Sequence, residues 1–304
     1  MKRYALSLAF AIVVAPSLCA AQVPREIAAE LREIGRVVSA GPTSALFLPL
    51  HDLTIPDGIA VERDVVYGPH DLNKMDIFTT GTDGATRPVL IFAHGGGFAR
   101  GDKHQEGAAH YDNLMIWAAQ QGMVGVNINY RLAPDDPWPA AQDDLVSVIN
   151  WTKQNIARYG GDPNKIMLGG QSAGAGLIAN HLAHAQFHGP DGHGVIAAYL
   201  SSGQYEITGP SAYYGDDPAL WAERSSFPHL ANLTIPMFLT RAELDPPGIA
   251  EQGDKLNQAL CAAGNCPTFI VSKDHNHNSQ IYAIRTGDET ITKPLSQFLQ
   301  EHVM

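Results

Sequence analysis

Residues 88 to 93 read PVLIFA, six positions with no polar side chain among them. A strand with one face in water alternates polar and apolar residues, so an unbroken run demands cover on both faces. Helices packed on either side of a mostly parallel sheet supply that cover. The chain from residue 61 onward keeps the same rhythm. ERDVVYG and KMDIFTT alternate with a two-residue period and lie close enough to pair antiparallel. A helix is expected around 108 to 121, then the strand MVGVNINY, then a helix from about 138 to 158. In that second helix Ala141, Leu145, Val148, Ile149, Ile156 and Tyr159 share one face. KIMLGG reads as a strand, AGLIANHLAHAQ as a helix, VIAAYLS, PMFLT and TFIVS as strands, and ITKPLSQFLQEHV as a closing helix. The expected fold class is α/β, a mostly parallel twisted sheet flanked by helices.

The N-terminus reads differently. Lys2 and Arg3 precede the apolar run YALSLAFAIVV, and APSLCAAQ supplies small residues suited to cleavage after Ala20 or Ala21. Residues 1–21 are therefore expected to be a signal peptide, too short for a membrane anchor, and the mature chain to be exported. Export places Cys261 and Cys266, in CAAGNC, in an oxidising compartment, so a disulfide is expected. With 20 Lys and Arg against 31 Asp and Glu the net charge is −11. No basic run stands out, which argues against nucleic acid and anionic membranes as partners. Residues 22–60, with the amphipathic REIAAELREIGRVV, form a lead segment ahead of one large domain, 61–304. That lead and the Pro-, Gly- and aromatic-rich stretch 202–234 are expected to cap the carboxyl edge of the sheet, where open α/β sheets bind ligands.

One motif carries the chemistry. GQSAG, residues 170 to 174, lies between an expected strand and an expected helix. On such a turn Ser172 projects from the sheet edge, and Gly170 and Gly174 keep the turn tight. HGGGF, residues 94 to 98, follows the buried run directly. Its glycines let main-chain amides approach a substrate oxygen. Gly95 and Gly96, with Gly97 not excluded, join the Ala173 N–H as the expected oxyanion hole. His94 is expected to hold that loop by hydrogen bonds. A serine nucleophile needs an imidazole base and a carboxylate to orient it. PMFLTRAELDPP offers Asp245 just past a strand, with Glu243 as rival. TFIVSKDHNHNSQ offers His277, with His275 as the other choice.

Taken together, HGGGF, VNINYRLAPDDPWPAAQDDL, RYGGDPNKIMLGGQSAGA and the late Asp and His resemble an α/β-hydrolase of the hormone-sensitive-lipase and carboxylesterase type, from about residue 61 to the C-terminus. The resemblance implies a serine carboxylesterase acting through an acyl-enzyme, without metal or organic cofactor; with the signal peptide, the expected protein is an exported esterase of small-molecule esters, short-chain or aryl. It carries Ser172 over as nucleophile, Asp245 as acid and His277 as base. Two positions depart from the family pattern: Gln171 stands where the lipase-like branch has an acidic residue, and Ala175 where many members have glycine. A serine peptidase or amidase on the same fold, and a non-catalytic binding protein, are the rival readings. His181, His184 and His188 fall at helical spacing, and local hydrogen bonding is favoured over metal ligation. For Trp138, Trp221, Tyr205, Tyr213, Tyr214 and Phe227, cap packing is favoured over pocket lining.

Overall fold

In a computed structural model of the chain, residues 22–190 and 192–304 are described; the expected signal peptide lies outside the described residues. Eight strands form one sheet: β1 Ala60–Val66, β2 Lys74–Thr79, β3 Arg87–Ala93, β4 Val124–Ile128, β5 Gly161–Gln171, β6 Ala197–Ser201, β7 Met237–Leu244 and β8 Thr268–Asn276. The unbroken apolar run is β3, near the middle of the sheet. Val89, Ile91 and Ala93 point into the core on one face, and Leu90 and Phe92 into the core on the other. Each such side chain withdrawn from water is worth about 1.5–3 kcal/mol, which is why both faces must be covered.

The helices are α1 Arg25–Ile34, α2 Ala40–Phe47, α3 Asp112–Gln120, α4 Ala140–Asn155, α5 Ala173–Ala183, α6 Pro218–Arg224, α7 Pro247–Ala262, α8 Ser279–Tyr282 and α9 Thr292–His302. Leu145 and Val148 of α4, Leu177 and Ile178 of α5 and Leu256 of α7 cover one face. Leu31 of α1, Phe47 of α2, Leu114 of α3 and Leu299 of α9 cover the other. α1 stops at Gly35, which takes a φ of 80°. Two boundaries differ from expectation. α3 starts at Asp112 rather than 108, and α4 gives way to a 3₁₀ turn at Ile156. α2 and α7 went unread in the sequence, where Gly41, Pro42, Gly248 and Gly253 speak against helix on local propensity. No helix among the described residues is long and apolar enough to cross a membrane.

The strand order is β1-β2-β4-β3-β5-β6-β7-β8. β1 with β2 and β2 with β4 are antiparallel, and every other neighbouring pair is parallel. From β3 the chain crosses to β4 on one side, and from β5 it proceeds through β8 on the other. The loops leaving the carboxyl ends of β3 and β5 therefore diverge, and the crevice between them is where sheets of this kind bind ligands.

Candidate active site

Ser172 occupies that crevice. It joins β5 to α5 with φ 57° and ψ −119°, a region that L-residues rarely visit. The strain is held by its own N–H bonding the Ser201 carbonyl at 2.9 Å. A Cβ at Gly170 would collide with the backbone of Gly174, and one at Gly174 with the carbonyl of Ala93, so the turn closes only with glycine at both places. The hydroxyl does not cap its own helix. Ser172 is half-buried and lines a cavity of about 350 Å³.

Gly95, Gly96 and Gly97 form part of the wall of the same cavity. Their amides are not equivalent. The Gly95 N–H donates to the Tyr111 hydroxyl at 3.0 Å, so the expectation that it belongs to an oxyanion hole is corrected. Gly96, Gly97 and Ala173 spend their N–H groups on no described partner. His94 is fully buried and stacks on Tyr130 with ring centres 4.4 Å apart. Burial pushes its pKa down to about 4, so the neutral ring donates from Nδ1 to the Gly95 carbonyl at 2.7 Å. It steadies the loop from behind.

Asp245 follows β7 and His277 follows β8, both at the carboxyl edge and both fully buried. The His277 Nδ1–H donates to Asp245 Oδ1 at 2.7 Å. The other carboxylate oxygen accepts from the Ser202 hydroxyl at 2.6 Å and the Ala242 N–H at 2.7 Å. That fixes the imidazole tautomer and leaves Nε2 as an acceptor without a partner, on a residue of the cavity wall. His275 is turned elsewhere, with Nδ1 3.0 Å from the Ser279 hydroxyl and Nε2 3.1 Å from Asp288. Glu243 is exposed and accepts the Asp274 N–H at 2.7 Å. Neither rival reaches the cavity.

The lead segment closes the site from one side. Val38 and Ala40 line the cavity. Around them the segment grips the loops that carry Asp245 and His277. Arg36 Nε donates to the Asp245 carbonyl at 2.8 Å, and Asn276 Nδ2 donates to the Thr43 hydroxyl at 2.8 Å. His51 Nε2 donates to the Tyr282 carbonyl at 2.7 Å, and Arg32 pairs with Asp274. The stretch 202–234 contributes no residue to the wall of this cavity. Its aromatic rings are core. Tyr213 stacks on Phe98 at 4.1 Å, with Tyr214 and Trp138 edge-on around them, and Tyr205 and Phe227 join the same cluster. Trp221 bonds the Gly215 carbonyl. His181, His184 and His188 each rest on a backbone carbonyl at 2.8–3.0 Å. Cys261 and Cys266 are joined by a disulfide at the end of α7.

Sequence reasoning overlooked Tyr111, Ser202 and Arg36. Ser202 had a signal, because it follows a strand at the edge where the other functional loops lie. Tyr111 and Arg36 had none, because their partners lie 16 and 209 residues away.

The strand order, with the sharp serine turn after β5 and the remaining functional loops after β3, β7 and β8, is that of an alpha/beta hydrolase. The chain belongs to this family: residues 90–265, from β3 to just past α7, match the family described as alpha/beta hydrolase fold. Among curated relatives it is similar to the esterase LipQ of Mycobacterium tuberculosis, 28% identical over 266 residues, covering 79% of this chain and 62% of that protein. It is 30% identical over 189 residues to the versiconal hemiacetal acetate esterase of Dothistroma septosporum, covering 60% of this chain and 55% of that one. The matched region thus spans less than two thirds of either relative. Among solved structures, a bacterial heroin esterase superposes with a TM-score of 0.69 at 22% identity, over 92% of this chain and 97% of the other, a likeness of fold.

Proposed function

We propose that the protein is an exported serine carboxylesterase that hydrolyses small carboxylic esters, short-chain or aryl, through an acyl-enzyme. The observation that carries the reading is the unbonded Nε2 of His277, held in its tautomer by Asp245, on the wall of the cavity that Ser172, Gly96 and Gly97 share. In this mechanism His277 Nε2 takes the Ser172 proton as Oγ attacks the ester carbonyl. The oxyanion is held by the N–H groups of Ala173 and of Gly96 or Gly97. As the tetrahedral intermediate collapses, the proton passes from His277 to the leaving alkoxide and the alcohol departs. Water, deprotonated by the same nitrogen, then releases the acid and restores Ser172. A cavity of about 350 Å³ suits small esters. The names of the relatives, both esterases, support the same chemistry, and the basic, apolar and small-residue sequence of residues 1–21 supports export.

Ser172→Ala is expected to lose p-nitrophenyl acetate hydrolysis by about 10⁴-fold or more while its melting temperature stays at the wild-type value. A fluorophosphonate is expected to label wild type at Ser172 and to leave the variant unlabelled. Retained turnover in Ser172→Ala, or labelling elsewhere, overturns the assignment.

A further inference from the structure

Gln171, directly before the serine, is almost completely buried at 2% exposure, and both ends of its side chain are used. The Tyr111 hydroxyl lies 3.3 Å from Oε1, and Nε2 donates to the backbone carbonyl of His277 at 3.1 Å. Tyr111 in turn accepts the Gly95 N–H at 3.0 Å. The polarity of this chain of bonds is forced from one end. The Gly95 amide can only donate, so the tyrosine oxygen accepts there and points its proton at Gln171 Oε1. The amide group of Gln171 is then oriented with its NH₂ toward the His277 carbonyl, which can only accept. Burial keeps the Tyr111 hydroxyl protonated, its pKa pushed up to about 12.

We infer that Gln171 and Tyr111 are positioning residues that tie three loops together: the glycine loop after β3, the serine turn after β5 and the histidine loop after β8. The inference rests on the esterase reading and goes beyond it. It assigns two functions to one relay. Occupying the Gly95 amide leaves Gly96 and Gly97 as the loop's free donors toward the cavity. Holding the His277 backbone fixes where its imidazole stands on the cavity wall it shares with Ser172. The relay also accounts for the amide at 171. A carboxylate there would face the His277 carbonyl with a lone pair at 3.1 Å, a repulsion relieved only when the acid carries a proton. Gln171→Glu therefore converts a neutral clasp into a pH-dependent one, and Gln171→Met removes it at nearly constant volume.

The test measures kcat and KM for p-nitrophenyl acetate from pH 5 to 9 in wild type, Gln171→Glu, Gln171→Met and Tyr111→Phe, with melting temperatures alongside. Gln171→Glu is expected to lose about 10- to 100-fold in kcat at pH 8, with KM within about twofold, because misplacement of reacting groups is felt in the transition state. The ratio of variant to wild-type kcat is expected to rise toward pH 5 as the new carboxyl takes up a proton. Gln171→Met is expected to lose a similar factor at every pH, and Tyr111→Phe a smaller one. Wild-type kcat for Gln171→Glu and Gln171→Met across the range overturns the inference, and so does a loss that simply follows melting temperature. A second readout needs no turnover: the downfield proton resonance of the His277–Asp245 bond is expected to shift or broaden in both Gln171 variants. An unmoved resonance counts against the relay even if the esterase reading fails, and wild-type inactivity toward esters counts against that reading alone.

Discussion

His275 and His277 stand two residues apart and each faces an aspartate, yet the two arrangements have opposite characters. In the His275 arrangement both ring nitrogens face partners, Ser279 Oγ at 3.0 Å and Asp288 Oδ2 at 3.1 Å, the latter close enough for charge pairing but poorly aligned for a hydrogen bond. Ser279 is fixed as well, its Oγ accepting the Asn276 N–H at 2.9 Å at the start of α8. All three residues are buried. In the other arrangement, His277 binds Asp245 through one nitrogen and keeps the second free, and Ser172 sits on a strained turn with its hydroxyl uncommitted. A serine, a histidine and an aspartate therefore do not make a reactive site by meeting. What separates the two is the group left unbonded and the presence of a cavity beside it.

The largest contrast is expected from replacing each histidine by alanine. His277→Ala is expected to lose about 10⁴-fold or more in kcat for p-nitrophenyl acetate and little stability beyond the cost of a buried deletion. His275→Ala is expected to do the reverse: kcat within about threefold of wild type below its melting transition, and a destabilisation of about 3–5 kcal/mol, since Asp288 is left buried without its partner. Urea titration and initial rates on the same two variants separate the effects. Equal losses of kcat would erase the distinction between the two sites.

The aspartates sharpen the same comparison at a smaller scale. Asp245→Asn keeps the shape but offers an amide where the imidazole needs an acceptor, which favours the wrong tautomer; a kcat loss of about 10³–10⁴-fold is expected. Asp288→Asn touches no atom of the cavity, and its kcat is expected to stay within about threefold. A pH–rate series on both variants checks this, because only the Asp245 change alters the nitrogen that takes the proton.

The sequence contrasts with the structure in a way that follows from the same pair. β3, the glycine loop and the serine turn were legible because each depends on residues adjacent in the chain: an apolar run, three glycines, and glycines two positions either side of Ser172. The choice between His275 and His277 was narrowed but not decided by sequence, since two residues apart on an extended chain they present equivalent spacing. Only the placement of Asp245 and Asp288, 32 and 13 residues from their partners, tells them apart. The Gly95 amide was assigned to the wrong role for a similar reason, since nothing near residue 95 announces that Tyr111 has taken it. The lead segment is the extreme case. Its contacts with Asp245 and Asn276 span more than 200 residues, and α2 forms despite Gly41 and Pro42 because Phe47 is buried against the body of the protein.

The smallest expected effect concerns how the two regions answer to acid. The Asp288 carboxyl titrates below its ordinary value. Burial alone would raise it, but the imidazole of His275 beside it, with the hydrogen bond from Thr290, outweighs burial. A depressed carboxyl stabilises the fold above its unfolded pKa of about 3.8, and that contribution is lost as pH falls through the folded value. The buried neutral histidines act in a higher window. His94, His110 and His181 are each pushed down by burial from 6.5 to about 4, so between those values the unfolded chain binds protons that the folded chain refuses. Stability is therefore expected to be full above pH 6.5, to fall progressively toward pH 4, and to fall further below 3.8. Asp288→Asn is expected to lower the melting temperature at pH 7 and to flatten only the segment below 3.8. His181→Gln is expected to flatten the segment between 6.5 and 4 and leave the lower one alone. Melting curves at half-unit steps from pH 7.5 to 3 resolve the two windows, and a single slope shared by both variants would mean that neither region controls its own part of the acid response.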